Sequence, residues 1–95
     1  MRVVWTRCYL RELAAIGDYL FERNPSAAAR IVRSIHGRTL RLLTQNAFLG
    51  RRGEIEGNRE LVLADLGHIV AYRVRNDHVE VLYVQHGARA WPEQL

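Results

Sequence analysis

The sequence predicts an α+β protein with the order β-α-α-β-β-β, a two-layer fold in which an N-terminal helix hairpin packs on one face of an antiparallel sheet. Three observations predict it. Two long segments, 8–22 and 25–46, repeat apolar residues at helical spacing. Three β-rich runs follow the helices, separated by connections that suit only antiparallel hairpins. One further β-rich run, Arg-Val-Val-Trp at residues 2–5, precedes the helices.

The first run ends at Thr6, whose hydroxyl can accept a backbone N–H and so cap a helix. Over 8–22 an advance of 100° per residue collects Tyr9, Leu10, Leu13, Ala14, Ile16, Gly17, Leu20 and Phe21 on one side. Arg11, Glu12, Asp18 and Glu22 fall on the other. Gly17, in the middle of the apolar face, lets a second backbone come close. Asn24-Pro25 supplies a cap followed by proline at the first helical position, so a second helix starts there and runs to about Asn46. Ala28, Ile31, Val32, Ile35, Thr39, Leu42 and Leu43 share one face of it, and Arg30, Arg33, Arg38 and Arg41 the opposite one. The short link makes the two helices an antiparallel hairpin.

Residues 50–58 hold three glycines without helical periodicity and read as a loop. The runs 59–64, 69–75 and 79–85 then form a three-stranded meander, with the first strand adding an edge. No internal repeat or composition break divides the chain, so residues 1–95 are expected to form one domain.

Composition narrows the function classes. Apolar residues make up 48% and charged residues 25%, which is ordinary for a folded protein and unlike disorder. No apolar run reaches the length of a membrane span, and the N-terminus lacks the pattern of a secretory leader, so a cytoplasmic location without membrane contact is expected. A single cysteine, Cys8, cannot form an internal disulfide, and no Cys/His cluster has zinc-finger spacing, so no structural metal is expected; no cofactor or small-molecule ligand is expected either. All 14 basic residues are arginine. They are unevenly placed: residues 1–50 carry 8 Arg against 3 acids, and residues 51–95 carry 6 against 7. No acid lies between Glu22 and Glu54, so the arginines of the second helix have no partner at helical spacing.

Several short pieces then fall into an order. After the helix hairpin come Gly50-Arg51, Arg59-Glu60-Leu61, Tyr72-Arg73-Val74 and a closing His86-x-x-Arg89-x-Trp91-Pro92. Together they resemble the RelE/ParE toxin superfamily of type II toxin–antitoxin systems, ParE-type members above all, over nearly the whole chain. The resemblance implies a toxin that inhibits growth and is bound by a cognate antitoxin, whose C-terminal segment wraps over the toxin. Two activities occur in the superfamily. ParE-type members poison DNA gyrase by protein contact, and RelE-type members are mRNA interferases that cut mRNA in the ribosome without a metal.

A metal-free ribonuclease needs a base for the 2′-hydroxyl, an acid for the leaving oxygen and a cation over the phosphate. Arg59, Arg73, His86 and Arg89 are the candidates for those roles. The match to RelE-type sites is incomplete. This chain has no lysine, no tyrosine after Tyr83, and Ile69 near the place of a strand arginine. Histidine-based relatives such as YafQ have a late histidine similar to His86, but their second, strand-borne histidine is replaced by Val62 or a near neighbour. The sheet half is also slightly negative, which does not suit RNA. The ParE-type reading, with DNA gyrase as target, is therefore preferred, and Arg89, Trp91 and Pro92 are its candidate target-binding residues.

Each of these residues also has a plain structural role. His86 at a strand end can be an ordinary hydrogen-bonding residue, and Arg59 and Arg73 can pair with Glu60, Glu80 or Asp77 across strands. Trp91-Pro92 can simply pack a tail, and Trp5 and Tyr72 are expected in the core. For the antitoxin, the candidates are the basic stripe Arg30, Arg33, Arg38 and Arg41, with the apolar Leu40, Phe48 and Leu49 left outside the core. A third reading is a non-toxic basic nucleic-acid-binding module, supported only by a sequence pI near 10.0.

Overall fold

The computed structural model describes residues 1–87. Its elements run β1 (Arg2–Trp5), α1 (Arg7–Arg23), α2 (Pro25–Gln45), β2 (Arg51–Arg52), β3 (Asn58–Leu63), a 3-10 turn (Ala64–Leu66), β4 (His68–Val74) and β5 (His78–His86). The sheet order is β1-β5-β4-β3-β2, so β1 and β2 are the two edges.

The ends of the elements follow their sequence signals. Thr6 Oγ1 accepts the Tyr9 N–H at 3.1 Å and donates toward the carbonyls of Val81 and Leu82 at 2.8 and 2.9 Å, so one residue caps α1 and ties it to β5. Asn24 ends α1 and caps α2, its Oδ1 accepting the Ala27 N–H at 3.2 Å, with Pro25 opening the second helix. Gly17 is the close-approach point of the hairpin, where an added Cβ would stand 3.2 Å from Val32 Cγ2.

The sheet departs from the sequence expectation in two respects. β1 pairs with β5 in parallel, so the sheet is mixed and only the β2–β5 portion is antiparallel. Parallel pairing with a distant strand leaves no local sequence signal. The loop at 50–58 also contributes a two-residue strand, Arg51 and Arg52 opposite Glu60 and Arg59.

The core lies between the helices and one face of the sheet. Tyr9 and Leu13 of α1 and Ile35 and Leu43 of α2 meet Leu61, Leu63, Val70, Tyr72, Val79, Val81 and Val84. Removing this much apolar surface from water is the main stabilising term, at about 25 cal/mol per Å². The buried stripe of α1 is narrower than its wheel implied. Leu10 and Phe21 are exposed, because only the 9/13/16 line of the helix is turned to the sheet and to α2. Trp5 is half-buried rather than fully enclosed, stacked on Tyr9 with ring centres 5.1 Å apart and tilted against His36 with ring centres 4.0 Å apart. Thr39 on α2 is fully buried, and its hydroxyl finds no partner among the described residues.

Candidate functional site

A buried anchor fixes the segment that joins α2 to the sheet. Tyr72 is fully enclosed, and its hydroxyl accepts the Gly50 N–H at 2.8 Å. Burial pushes the Tyr72 phenol upward, while the Gly50 hydrogen bond and the Arg59 charge oppose that rise. An added Cβ at Gly50 would meet Tyr72 Oη at 2.7 Å and the Glu60 carbonyl at 2.8 Å, so only glycine fits. Arg59 completes the anchor. Its Nη1 donates to the carbonyls of Gly50 at 2.8 Å and Phe48 at 3.3 Å, and its guanidinium lies 5.0 Å from the centre of the Phe48 ring. Phe48 itself is 58% exposed, beside Leu49 at 47%. The Phe48 ring, Arg59 and the turn at 52–57 border an open cleft of about 650 Å³ that reaches Val74.

On α2, Leu40 is 44% exposed and Arg30, Arg33 and Arg41 are exposed. None of these three arginines has a carboxylate within ion-pair distance among the described residues. Arg38 differs: it is half-buried and bonds Asp65 of the 3-10 turn at 2.7 Å, which holds that carboxyl below the ordinary range. α2 therefore presents three cations without a carboxylate partner among the described residues, with apolar side chains toward its C-terminal end.

The face of the sheet away from the helices is charged and internally paired. Arg73 bonds Glu80 at 2.6 Å, Arg75 approaches the same carboxylate at 3.5 Å, and Arg51 bonds Glu60 at 2.9 Å. The Arg73 bond, reinforced by the Arg75 and His78 charges, keeps the Glu80 carboxyl below its ordinary value.

The sequence-chosen nuclease candidates are not brought together. Arg59 pairs in register with Tyr72 and so points to the helix side, whereas Arg73 pairs with Glu80 on the opposite face. His86 closes β5 six residues beyond Glu80, roughly 20 Å away at strand rise. Arg89, Trp91 and Pro92 lie outside the described residues. What the sequence did not indicate is the neighbour of His86. The register sets His68 opposite it, with ring centres 5.3 Å apart and planes at 76°. His68 is buried, its Nδ1 is 2.8 Å from the Leu66 carbonyl, and burial holds its imidazole below the ordinary value, with the His86 charge adding to that. Only the pairing of β4 with β5 could have revealed this contact.

Comparison with known proteins settles the family. The family described as ParE toxin of type II toxin-antitoxin system, parDE, matches residues 3–91. The chain belongs to the ParE toxin family. A Sinorhizobium fredii (strain NBRC 101917 / NGR234) protein named “Putative toxin Y4kP” is 44% identical to this ParE-family chain over 94 residues, covering 99% of this chain and 96% of that one. A chain of the chromosomal ParDE system from P. aeruginosa superposes with a TM-score of 0.83 at 28% identity, over 90% of this chain and 95% of the other. A chain of the RelBE2 toxin–antitoxin complex from Mycobacterium tuberculosis gives a TM-score of 0.57 at 20% identity with the same coverage, which extends the likeness of fold from the ParE to the RelE branch. The two-layer architecture is thus that of the RelE/ParE superfamily. Among the described residues, no helix is long and apolar enough to cross a membrane.

Proposed function

We propose that this ParE-family chain acts in the cytoplasm as a growth-inhibiting toxin that captures DNA gyrase and is silenced by a cognate antitoxin. The observation that carries the target choice is the dispersal of the candidate nuclease groups. Arg73 is committed to Glu80, Arg59 to two backbone carbonyls, and His86 stands at the far end of the sheet from Arg73. A protein-capturing toxin needs no assembled acid, base and phosphate cation, whereas a ribonuclease does. The family match, which extends through Trp91, supports the same choice.

The antitoxin surface in this reading is the outer side of α2 with the segment after it: Arg30, Arg33, Arg38 and Arg41 beside Leu40, Phe48 and Leu49. Three exposed cations without carboxylates and the adjacent apolar side chains suit an acidic amphipathic segment. Arg59 and Tyr72 hold Phe48 in place before any partner arrives, which lowers the ordering cost of binding. Arg89, Trp91 and Pro92 are assigned to the gyrase contact. The test is a supercoiling assay with purified gyrase and an excess of the full-length chain. Loss of supercoiling, with relaxed or cleaved DNA, is the expected result, and normal supercoiling would overturn the assignment.

One observation favours a RelE-type mRNA endonuclease instead, namely the second imidazole that His68 sets beside His86. Two adjacent imidazoles can divide the acid and base roles of RNA cleavage. That reading requires mRNA cut within translated codons on induction. It fails if joint substitution of Arg59, Arg73 and His86 leaves growth arrest intact.

A further inference from the structure

Neither gyrase capture nor antitoxin binding gives the His68–His86 pair a role. The two imidazoles are created as neighbours by the sheet, not by sequence spacing. They face each other across β4 and β5; the His68 backbone is paired on both sides, with Leu63 of β3 and His86 of β5, and His86 is paired with His68. The Gly87 N–H donates to the Gly67 carbonyl directly beside the pair and closes this end of the ladder.

From this arrangement we infer that His68 and His86 form a two-imidazole site for a borderline transition-metal ion, Zn²⁺, Ni²⁺ or Cu²⁺, with water completing its coordination. Three properties of the pair support the site. The first is spacing. A tetrahedral ion about 2.0–2.1 Å from each of two imidazole nitrogens, with about 1.1 Å from nitrogen to ring centre, places the ring centres about 5.2 Å apart. The observed separation is 5.3 Å, with the planes at 76° so that the rings are turned rather than stacked.

The second is the tautomer. A carbonyl oxygen only accepts, so the 2.8 Å contact between His68 Nδ1 and the Leu66 oxygen places the proton on Nδ1 and leaves the lone pair on Nε2. A second bond of this type from the non-ligating nitrogen is what orients histidine ligands in metal sites. The third is the mixture of burial and access. His68 is buried and fixed, while His86 is exposed, so an ion could enter from the solvent side and meet one immobile ligand. Imidazole donors select zinc, nickel and copper over magnesium and calcium, which require oxygen ligands. Among the described residues the pair supplies two ligands, and no group of three metal-ligating side chains occurs there.

Position gives the site a consequence. An ion bridging His68 and His86 would hold the end of β5, and Arg89 and Trp91, which the proposed function assigns to gyrase, follow His86 by three and five residues in the sequence.

Titration of the full 95-residue chain with ZnCl2, followed by calorimetry and by thermal unfolding, tests the inference. Zinc should bind one ion per chain and raise the melting temperature by a few degrees, and MgCl2 should do neither. His86→Gln should weaken zinc binding at least ten-fold and remove the shift, whereas His78→Gln, at the other end of β5, should leave both unchanged. Cobalt substitution adds a readout independent of stability, since a d–d absorption band should appear with the native chain and vanish with His86→Gln. Absence of zinc binding in the native chain, or equal binding by the His86→Gln chain, would overturn the site. Neither result would touch the supercoiling test.

Discussion

Most arginines of the sheet are paired within the fold, whereas three of the four on α2 have no carboxylate partner among the described residues. On the sheet, Arg51, Arg73 and Arg75 close on Glu60 or Glu80, Arg2 comes within 3.8 Å of Asp77, and Arg59 closes on backbone carbonyls. On the outer side of α2, Arg30, Arg33 and Arg41 meet no carboxylate among the described residues. Charge that is already paired within a fold contributes little to recognition, because binding a partner must first break the internal pair. Charge left unpaired and close together costs the monomer some self-repulsion and is available to an acidic partner. The difference separates arginines committed within the fold from those left available to a partner.

Three experiments can break or sharpen that contrast. The largest effect is expected from reversing the helix charges together, Arg30→Glu, Arg33→Glu and Arg41→Glu. Antitoxin binding should weaken about 100-fold or more at low ionic strength, and by less as salt screens the charges. The isolated chain should melt within a few degrees of the native one. Equal antitoxin affinity in a binding titration would place the interface elsewhere. Next comes Arg59→Ala, which removes the donor of two carbonyl bonds and should lower stability by about 1–3 kcal/mol in denaturant unfolding. If it lowered antitoxin affinity without lowering stability, Arg59 would belong with the recognition arginines after all.

The smallest effect concerns Glu80. Its carboxyl titrates below the ordinary glutamate value in the folded chain because Arg73 donates to it. The unfolded chain therefore takes up the proton first as pH falls, so the pair's contribution is complete above the unfolded value and is lost as pH drops through the folded one. Glu80→Gln should flatten that part of the acid unfolding profile, and an unchanged profile would show the pair to be too screened by water to matter.

Local patterns in the sequence carried most of the fold. The caps Thr6 and Asn24, the proline at the start of α2 and the helical period of both segments placed the hairpin, and the short separators placed the meander. What was hidden depended on pairing between distant residues. The parallel contact of β1 with β5, the two-residue β2, and the closeness of His68 to His86 all follow from register, which no local spacing encodes. The helix wheel named Leu10 and Phe21 as core because it has no means of knowing how wide a strip the sheet can cover. For the candidate site, exposure of Leu40, Phe48 and Leu49 was legible because each sits at or beyond the edge of an apolar stripe. The locking of Phe48 by Arg59, and the need for glycine at position 50, were not, since both arise from Tyr72 reaching across from β4.

The parallel edge bears on how the chain is made. Thr6 bonds Val81 across 75 residues, and β5 lies between β1 and β4. Because a ribosome delivers the chain from its N-terminus, β1 waits without a neighbour while both helices and two hairpin arms emerge, and the sheet closes only once the last strand is out. The sheet of a nascent chain is thus incomplete until β5 has emerged. In the proposed reading, that interval gives an antitoxin already present in the cell time to reach the helix layer before the sheet is closed.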